Sequence, residues 1–417
     1  MCKTMRNSSP PETCDVVVVG AGPSGLAAAT ELKALGVASV VVLEREPTAG
    51  GIPRHCGHPP YGIHEFNRLM TGPSYAAALV KKAHSSGVEI FTNTTVVKIH
   101  EGGRLVLSTD DGITEIAARR VILSTGVRET PCAPRFVSGQ RPMGISTTGA
   151  LQTMVYLNGT IPFKKPIIVG SELVTFSSLL TCRKAGIKPV AIIEPNSRVT
   201  ARSIFRLAPM IFGVPLRLNT SLVEILGKSR VSGVRLRNPA GALQEVDCDG
   251  VLFTGQFIPE SSLTRMGHLE IDPANGGPLV DQNGQCSDPC YFAVGNLLHP
   301  VETAGWCWSE GKQMATNISK SLAQKAQRDK PVNVVLKSTK LKYITPQTIT
   351  PSAQDAGINQ FQLRFREAAK GELSLRHNGK TLWSSKSSFL PERRVLIPLA
   401  VFASSVEAVE IHFSERP

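Results

Sequence analysis

Val16–Val19 is an unbroken run of valines, the pattern of a strand covered on both faces. Glycines punctuate the next residues, and Leu26, Ala29, Leu32 and Leu35 then mark one apolar side of a helix. Val40–Leu43 is a second buried run. Strand, helix, strand at this spacing is a βαβ unit and predicts a parallel sheet. From Glu89 to Leu123 the pattern changes. Glu89–Phe91, Val96–His100, Arg104–Ser108, Ile113–Ala117 and Val121–Leu123 read as short strands, with turns at Gly102-Gly103 and Asp111-Gly112. This predicts a small antiparallel meander inserted before the sheet resumes.

The same plan runs a second time. Ile167–Val169 reads as a strand, Leu173–Ala185 as a helix and Val190–Ile193 as a strand. A meander follows at Val223–Leu226, Val231–Arg237 and Gln244–Val246, and Val251–Phe253 returns to the parallel type. The repeat is one of architecture, with little residue identity, and it predicts two nucleotide-binding-type domains. Beyond Asn333, Gln360–Arg366, Glu372–Arg376, Thr381–Ser384, Arg394–Pro398 and Val409–Phe413 read as short strands around turns such as Asn378-Gly379. They predict a small C-terminal β sandwich. The expected fold is α/β, with two Rossmann-like domains, the second inserted in the first, and an all-β module. The expected boundaries are 12–158 with 285–330 for the first domain, 159–284 for the second and 335–417 for the module.

Composition narrows the class. Over 417 residues, 41 % are hydrophobic and 19 % charged, a globular chain with enough apolar surface for a sizeable core. The longest apolar run, Val16–Ala29, is short and broken by glycine, so no transmembrane helix is expected. Met1–Asp15 is polar and lacks the apolar region of a signal peptide. The nine cysteines include no C-x-x-C, and only Cys286 and Cys290 stand close, which suits a reducing compartment. The expectation is therefore a cytoplasmic chain, with peripheral association at the inner membrane compatible with it. The formal charge is +13, but the basic residues are mostly dispersed. The densest stretch, Lys320–Lys342, reads first as a solvated helix end and linker and second as a docking patch. No zinc finger or RNA-binding aromatic signature is present, so nucleic acid is not an expected partner.

Chemistry enters between the first strand and the first helix. In Gly20-Ala21-Gly22-Pro23-Ser24-Gly25, Gly20 suits the tight turn, Gly22 a close pyrophosphate, and Gly25 close packing of helix on strand. The helix start offers free N–H groups to phosphate. Glu44, with Arg45 beside it, ends the next strand, where a carboxylate accepts hydrogen bonds from a ribose diol. Gly50-Gly51-Ile52 follows, and Ser124-Thr125-Gly126 closes the first meander, which also holds Val97. Tyr291–Asn296 is a strand ending in Gly295-Asn296, ahead of a helical segment from Ala304 to Ile318 that Thr303 precedes.

These four spaced elements resemble the FAD-binding half of the glutathione-reductase-like, two-dinucleotide-fold flavoproteins (pyridine nucleotide-disulfide oxidoreductase-like), over about Cys14 to Ser321. The resemblance implies FAD as cofactor. It also implies that Asn296 replaces the usual Asp toward the flavin ribityl chain, with loss of one negative charge. The second turn departs further, reading Gly170-Ser171-Glu172-Leu173-Val174-Thr175. Glu172 puts a carboxylate where a pyrophosphate would sit, and Thr175 replaces the packing glycine, although Glu194 stands at the ribose position. NAD(P) binding is therefore doubtful. The loop Gly50–His58 holds one cysteine, Cys56, and the second domain lacks C-x-x-C, so disulfide reduction is not expected.

The subgroup is narrowed by Ser124–Pro131, which contains Thr125-Gly126-Val127-Arg128-Glu129, and by Arg141–Gln152. Both are similar to phrases in flavoprotein subunits of opine oxidase, hydrogen cyanide synthase and dye-linked proline dehydrogenase. This implies a bacterial multi-subunit dehydrogenase that acts on an amino acid, opine or hydroxy/polyol compound and contains a second flavoprotein subunit. No cysteine follows Cys307, so a [2Fe–2S] centre would come from a separate protein. The alternatives are a self-sufficient flavin dehydrogenase or oxidase, and an NAD(P)H-dependent flavin reductase. His55 and His58, in the loop expected over the flavin, are candidates to take a proton or orient a small-molecule substrate. Each also reads as a plain loop former. Glu302 is a third candidate catalytic residue, and Trp306 sits where the last helix opens.

Overall fold

The computed structural model describes residues 9–201, 207–323, 331–350, 358–391, 393–399 and 408–415. Lys325, Arg328 and Lys330 of the basic stretch lie outside the described residues, as do residues 1–8 of the polar N-terminus.

The valine run extends to a strand, Thr13–Val19, whose residues Val16, Val17 and Val18 are fully buried. Helix Pro23–Ala34 follows, with a proline in its first turn, and covers the sheet with Leu26, Ala29 and Leu32. Leu35 falls just beyond the helix and is exposed. The first sheet has the order Glu89–Phe91, Val40–Leu43, Thr13–Val19, Gly112–Leu123, Arg104–Thr109, Thr95–Ile99, with Tyr291–Ala293 paired to Gly112–Leu123. Two expectations change here. Glu89–Phe91 pairs parallel to Val40–Leu43 and belongs to the central sheet, outside the meander. Ile113–Ala117 and Val121–Leu123 are parts of one 12-residue strand. No glycine or proline interrupts it after Gly112. One end pairs antiparallel with Arg104–Thr109, and the other runs parallel beside Thr13–Val19 and Tyr291–Ala293.

The second sheet is fully parallel, in the order Leu216–Arg217, Ala191–Ile193, Pro166–Val169, Gly250–Phe253, Ile145–Thr147. Its meander, Ser221–Leu226, Gly233–Arg237 and Leu243–Asp247, also takes in Ser138–Gly139. The second unit thus reaches back ahead of the expected boundary at residue 158. A ribbon of Val127–Glu129 against Phe257–Pro259 carries the chain out and back. Leu269 and Val280 already pack in the first unit's core, ahead of the expected return at 285. One cause covers both shifts. Short segments without a helical or alternating pattern join a sheet through tertiary pairing that local sequence does not announce.

The C-terminal strands form the expected sandwich. Five strands, in the order Thr348–Ile349, Val332–Leu336, Val409–Glu415, Ala369–His377, Lys380–Phe389, face three, Leu341–Thr345, Gln360–Phe365 and Val395–Pro398. Ile344, Phe361, Leu363, Phe365, Leu373 and Ile411 fill the space between them. This module is seated on the first unit. Gln347 accepts from the Val280 N–H at 3.1 Å and donates to Asp272 at 3.1 Å, while Thr350 and Gln282 exchange two bonds of 2.8 and 2.6 Å. The groups are buried and mutually satisfied, so separating the module would expose paired polar atoms on both sides. Among the described residues no helix is long and apolar enough to cross a membrane.

Candidate functional site

At the first glycine-rich turn the backbone requires glycine at two positions, and a third leaves open space. Gly20 has φ +105° and sits against the Ser124 carbonyl. A Cβ at Gly25 would lie 2.2 Å from the Gly20 carbonyl oxygen, so helix and strand touch there. At Gly22 a Cβ would meet no protein atom within 4 Å. Gly22 is also the N-cap of helix Pro23–Ala34 and has no side chain to cap the first turn. The turn therefore leaves open space in front of uncapped N–H groups, the arrangement that takes a phosphate. Gly51 closes the other side, its own Cβ position lying 2.8 Å from Gly22 Cα.

Glu44 is buried and its carboxylate accepts from the Ala21 N–H at 2.9 Å and the Glu46 N–H at 3.0 Å. These bonds fix the carboxylate beside the turn and leave lone pairs for hydroxyl donors. Arg45 and Val97 are exposed at the rim, and the Thr94 N–H bonds the Glu44 carbonyl, which holds the meander strand next to the ribose position. Thr125 donates to the Glu260 carbonyl at 2.7 Å, and Gly126 has φ +75° with open space around it. Arg128 is exposed and ion-paired with Glu260 at 3.5 Å on the connecting ribbon.

The last strand returns to the same place. A Cβ at Gly295 would lie 2.5 Å from Ser24 Oγ, and one at Gly311 would lie 2.2 Å from the Ser24 carbonyl oxygen. Helix Ala304–Leu322, capped by Thr303, is thereby locked onto Pro23–Ala34. Two residues were overlooked in the sequence. Buried Glu310 accepts from the Gly295 N–H at 2.8 Å and pairs with buried His299 at 2.9 Å. The signal was available: Cys307, Gly311, Met314, Ala315 and Ile318 define an apolar helix face, and Glu310 interrupts it. Asn296 also braces the chain. Its side chain accepts from the Glu302 N–H at 2.8 Å and donates to the Glu302 carbonyl at 3.0 Å, clasping the loop that leads to Thr303.

The three catalytic candidates separate. Glu302 is held by Arg364 and Arg394 of the C-terminal module, with its side chain 4 % exposed. Its charge is taken up by this bridge. His58 is committed as well, bonding the Pro59 carbonyl at 2.9 Å and Ser177 Oγ, on helix Leu173–Lys184, at 2.5 Å. His55 is different. The Thr153 hydroxyl lies 3.0 Å from both the Gly149 carbonyl and His55 Nδ1. When it donates to Gly149 it accepts from Nδ1–H, and that tautomer leaves a lone pair on Nε2. That atom is buried without a hydrogen-bond partner among the described residues. Burial, and then Arg54, push the imidazole down to about 4, so it is neutral near pH 7. Cys56 bonds Ile52 and Gln152, and burial raises its thiol to about 11, a poor nucleophile at neutral pH.

The second turn repeats the geometry with different contents. Gly170 has φ +114° and Gly170 N–H bonds the Ile193 carbonyl at 2.9 Å, as Gly20 N–H bonds that of Leu43 at 2.8 Å. Glu194, however, is occupied by the Ser171 hydroxyl and by Asn196. The Glu172 carboxylate folds back over the turn and accepts from Thr254 at 2.7 Å. A Cβ at Gly170 or Gly255 would lie within 2.5 Å of that carboxylate. Arg135 bonds the Thr254 and Gly255 carbonyls at 3.0 Å each and lies within electrostatic reach of Glu172. Thr175 is fully buried and bonds Thr254. At the position that corresponds to Gly22, the second turn thus carries a side chain hydrogen-bonded to Thr254.

The sequence profile described as "Pyridine nucleotide-disulphide oxidoreductase" matches residues 14–327. An opine oxidase subunit of Rhizobium meliloti (strain 1021) is 25 % identical over 233 residues, covering 55 % of this chain and 49 % of that protein. The chain spans about half the length of the curated relatives it matches first. Among solved structures, thioredoxin reductase of T. acidophilum aligns with a TM-score of 0.64 at 22 % identity, over 75 % of this chain and 100 % of the other. L-proline dehydrogenase from P. horikoshii aligns at 0.58 and 19 %, over 76 % of this chain and 57 % of the other. These two structures share the fold.

Proposed function

The chain belongs to the pyridine nucleotide-disulphide oxidoreductase family, and we propose that this FAD-dependent oxidoreductase is the electron-transferring flavoprotein subunit of a multi-subunit dehydrogenase. The substrate class is an amino acid, an opine or a hydroxy/polyol compound. The observation that carries the reading is the contrast between the turns: open space before Gly22, and a carboxylate, Glu172, in the corresponding space of the second unit. A chain that holds FAD and has closed its nicotinamide-type site draws electrons from another source. The relatives named as subunits of opine oxidase support a partner protein as that source. A second flavoprotein and a separate [2Fe–2S] protein are the partners proposed.

The division of labour follows the sheets. We assign residues 9–126 and 260–323 to the FAD unit, 130–256 to the second unit with the ribbon between them, and the described residues from 331 to 415 to the β module. Gly20, Gly22, Pro23, Ser24, Gly25 and Gly51 form the phosphate cradle, with Gly295 and the first turn from Thr303 and Ala304 on its far side. Glu44, with Arg45 and Val97 at the rim, takes the ribose end, and Thr125 and Gly126 line the approach. Bound FAD supplies the two-electron acceptor. Pre-set N–H groups bind and orient it without rearrangement. Neutral His55 offers Nε2 as an acceptor for an N–H or O–H group and holds a proton there only in acid. Ile52 stands exposed on the same loop.

Co-expression with neighbouring reading frames, purification at low salt, and a count of flavin and iron test this. The expected product carries one FAD on this chain and iron on a partner. A second reading, a self-sufficient flavin dehydrogenase or oxidase, rests on the unpartnered Nε2 of His55. Turnover of an organic substrate at full rate by the lone chain, with dye or oxygen and no recovered partner, would favour it.

A further inference from the structure

We propose that the C-terminal β module completes the flavin site: Arg364 and Arg394, gathered by Glu302, set the charge at the start of the last helix and act as positioning residues for the flavin. This rests on the placing of FAD above. Glu302 directly precedes the N-cap Thr303 of a 19-residue helix. Its side chain and that of Arg364 are each 4 % exposed, and Arg394 is 32 % exposed. Two guanidinium groups against one carboxylate leave one net positive charge, in line with the positive end of the helix dipole. The Arg394 guanidinium lies 3.7 Å from the Trp306 ring centroid, and Trp306 forms the helix's first turn. The indole Nε1 of Trp306 is buried and without a hydrogen-bond partner among the described residues, a donor left for a further group. The connection back to the cofactor cradle is short: Gly295 packs on Ser24, and Asn296 clasps Glu302.

Charge beside a flavin tunes its electronics, and the reduced flavin carries negative charge. The net positive cluster therefore favours the reduced form. A structural brace alone would not discriminate by sign. The test is a spectroelectrochemical titration of the FAD-loaded full chain, with FAD content measured alongside. Arg394→Gln is expected to cost about tenfold in the preference for reduced over oxidised flavin, which is about 30 mV lower in midpoint potential for a two-electron couple. Glu302→Gln is expected to raise the potential by a similar step. Arg394→Lys keeps the charge and should stay near wild type, and because Arg394 is the more exposed partner its variants test the idea even if Glu302→Gln fails to fold. Potentials that move the same way in both Gln variants, or that do not move while FAD is retained, would overturn the proposal. So would loss of FAD in Arg394→Lys as well as Arg394→Gln, whereas loss in Arg394→Gln alone supports it. Wild type that binds no FAD would instead overturn the FAD placement on which it stands.

Discussion

The two glycine-rich turns are built by one plan and end in opposite states. In each, the first glycine has a positive φ and bonds the end of the neighbouring strand. In each, a carboxylate at the end of that strand, Glu44 or Glu194, accepts a backbone N–H two residues on at 3.0 Å. In each, a hydroxyl residue closes the adjacent strand and bonds the first strand's carbonyl, Ser124 to Val19 and Thr254 to Val169. The sharpest difference lies in the residues just after the first glycine. Gly22 contributes no atoms beyond its backbone, and Glu172 contributes a carboxylate that reaches Thr254. A fold can thus keep the scaffold of a turn while its own side chains, Glu172 and Thr175 among them, change what the turn presents.

The comparison is broken most severely from below the first turn. Gly311→Val puts a branched side chain where a Cβ alone would lie 2.2 Å from the Ser24 carbonyl, in the contact between the first and last helices. Backbone must move, and the expected cost is more than about 3 kcal/mol with FAD lost. Thermal unfolding of apoprotein and a flavin count measure both. Gly22→Val should separate binding from folding. Its Cβ meets no protein atom, its backbone is extended, and the loss of an N-cap glycine costs about 1 kcal/mol at most. FAD affinity is expected to fall at least about 100-fold because the branch enters the pyrophosphate space. Retention of stoichiometric FAD would sink the cradle assignment.

Much of this was legible in the sequence because period and glycine spacing report backbone requirements directly. The valine runs, the first turn, Glu44 and Gly295 needed no partner from afar to be read. The features that stayed hidden depend on pairing between distant segments. Ile145–Thr147 became a sheet strand only through Gly250–Phe253. The bridge from Glu302 to Arg364 and Arg394, 62 and 92 residues away, is invisible to local pattern. The clasp of Asn296 on Glu302 is likewise absent from local pattern. Glu310 carried a signal, a charge on an apolar helix face, that the sequence reading passed over.

The second turn offers a smaller, constructive test. In wild type, NADH and NADPH are expected to reduce the flavin slowly or not at all in anaerobic stopped-flow mixing. Glu172→Gly removes the carboxylate that fills the turn and repels phosphate, and should raise the rate at low NADH by about tenfold. Full restoration is not expected, since buried Thr175 still separates helix from strand and Ser171 still occupies Glu194. Rapid bleaching of wild type at micromolar NAD(P)H would show that Glu172 swings aside and that the two turns are functionally alike.

The smallest expected effect at neutral pH, and the one that isolates a single group, belongs to His55. Its folded pKa, about 4, lies below the ordinary value of 6.5, chiefly through burial and then through Arg54. The unfolded chain therefore binds more protons than the folded chain between those values. Stability contributed by the neutral imidazole is fully present above about pH 6.5 and is lost as pH falls toward 4. The loss between pH 7 and pH 5 is roughly 2 kcal/mol for such a shift. His55→Gln removes the titration and leaves a side chain able to meet Thr153, so its stability near pH 7 should stay within about 1 kcal/mol of wild type. Its acid slope should be shallower by the same roughly 2 kcal/mol. Chemical denaturation of both proteins at pH 7 and pH 5, in FAD-free form so that cofactor affinity does not enter, gives the comparison. Parallel losses in the two proteins would mean that His55 titrates normally in the fold. Its Nε2 would then be open to water, and it could not serve as the buried acceptor held ready in the loop above the cradle.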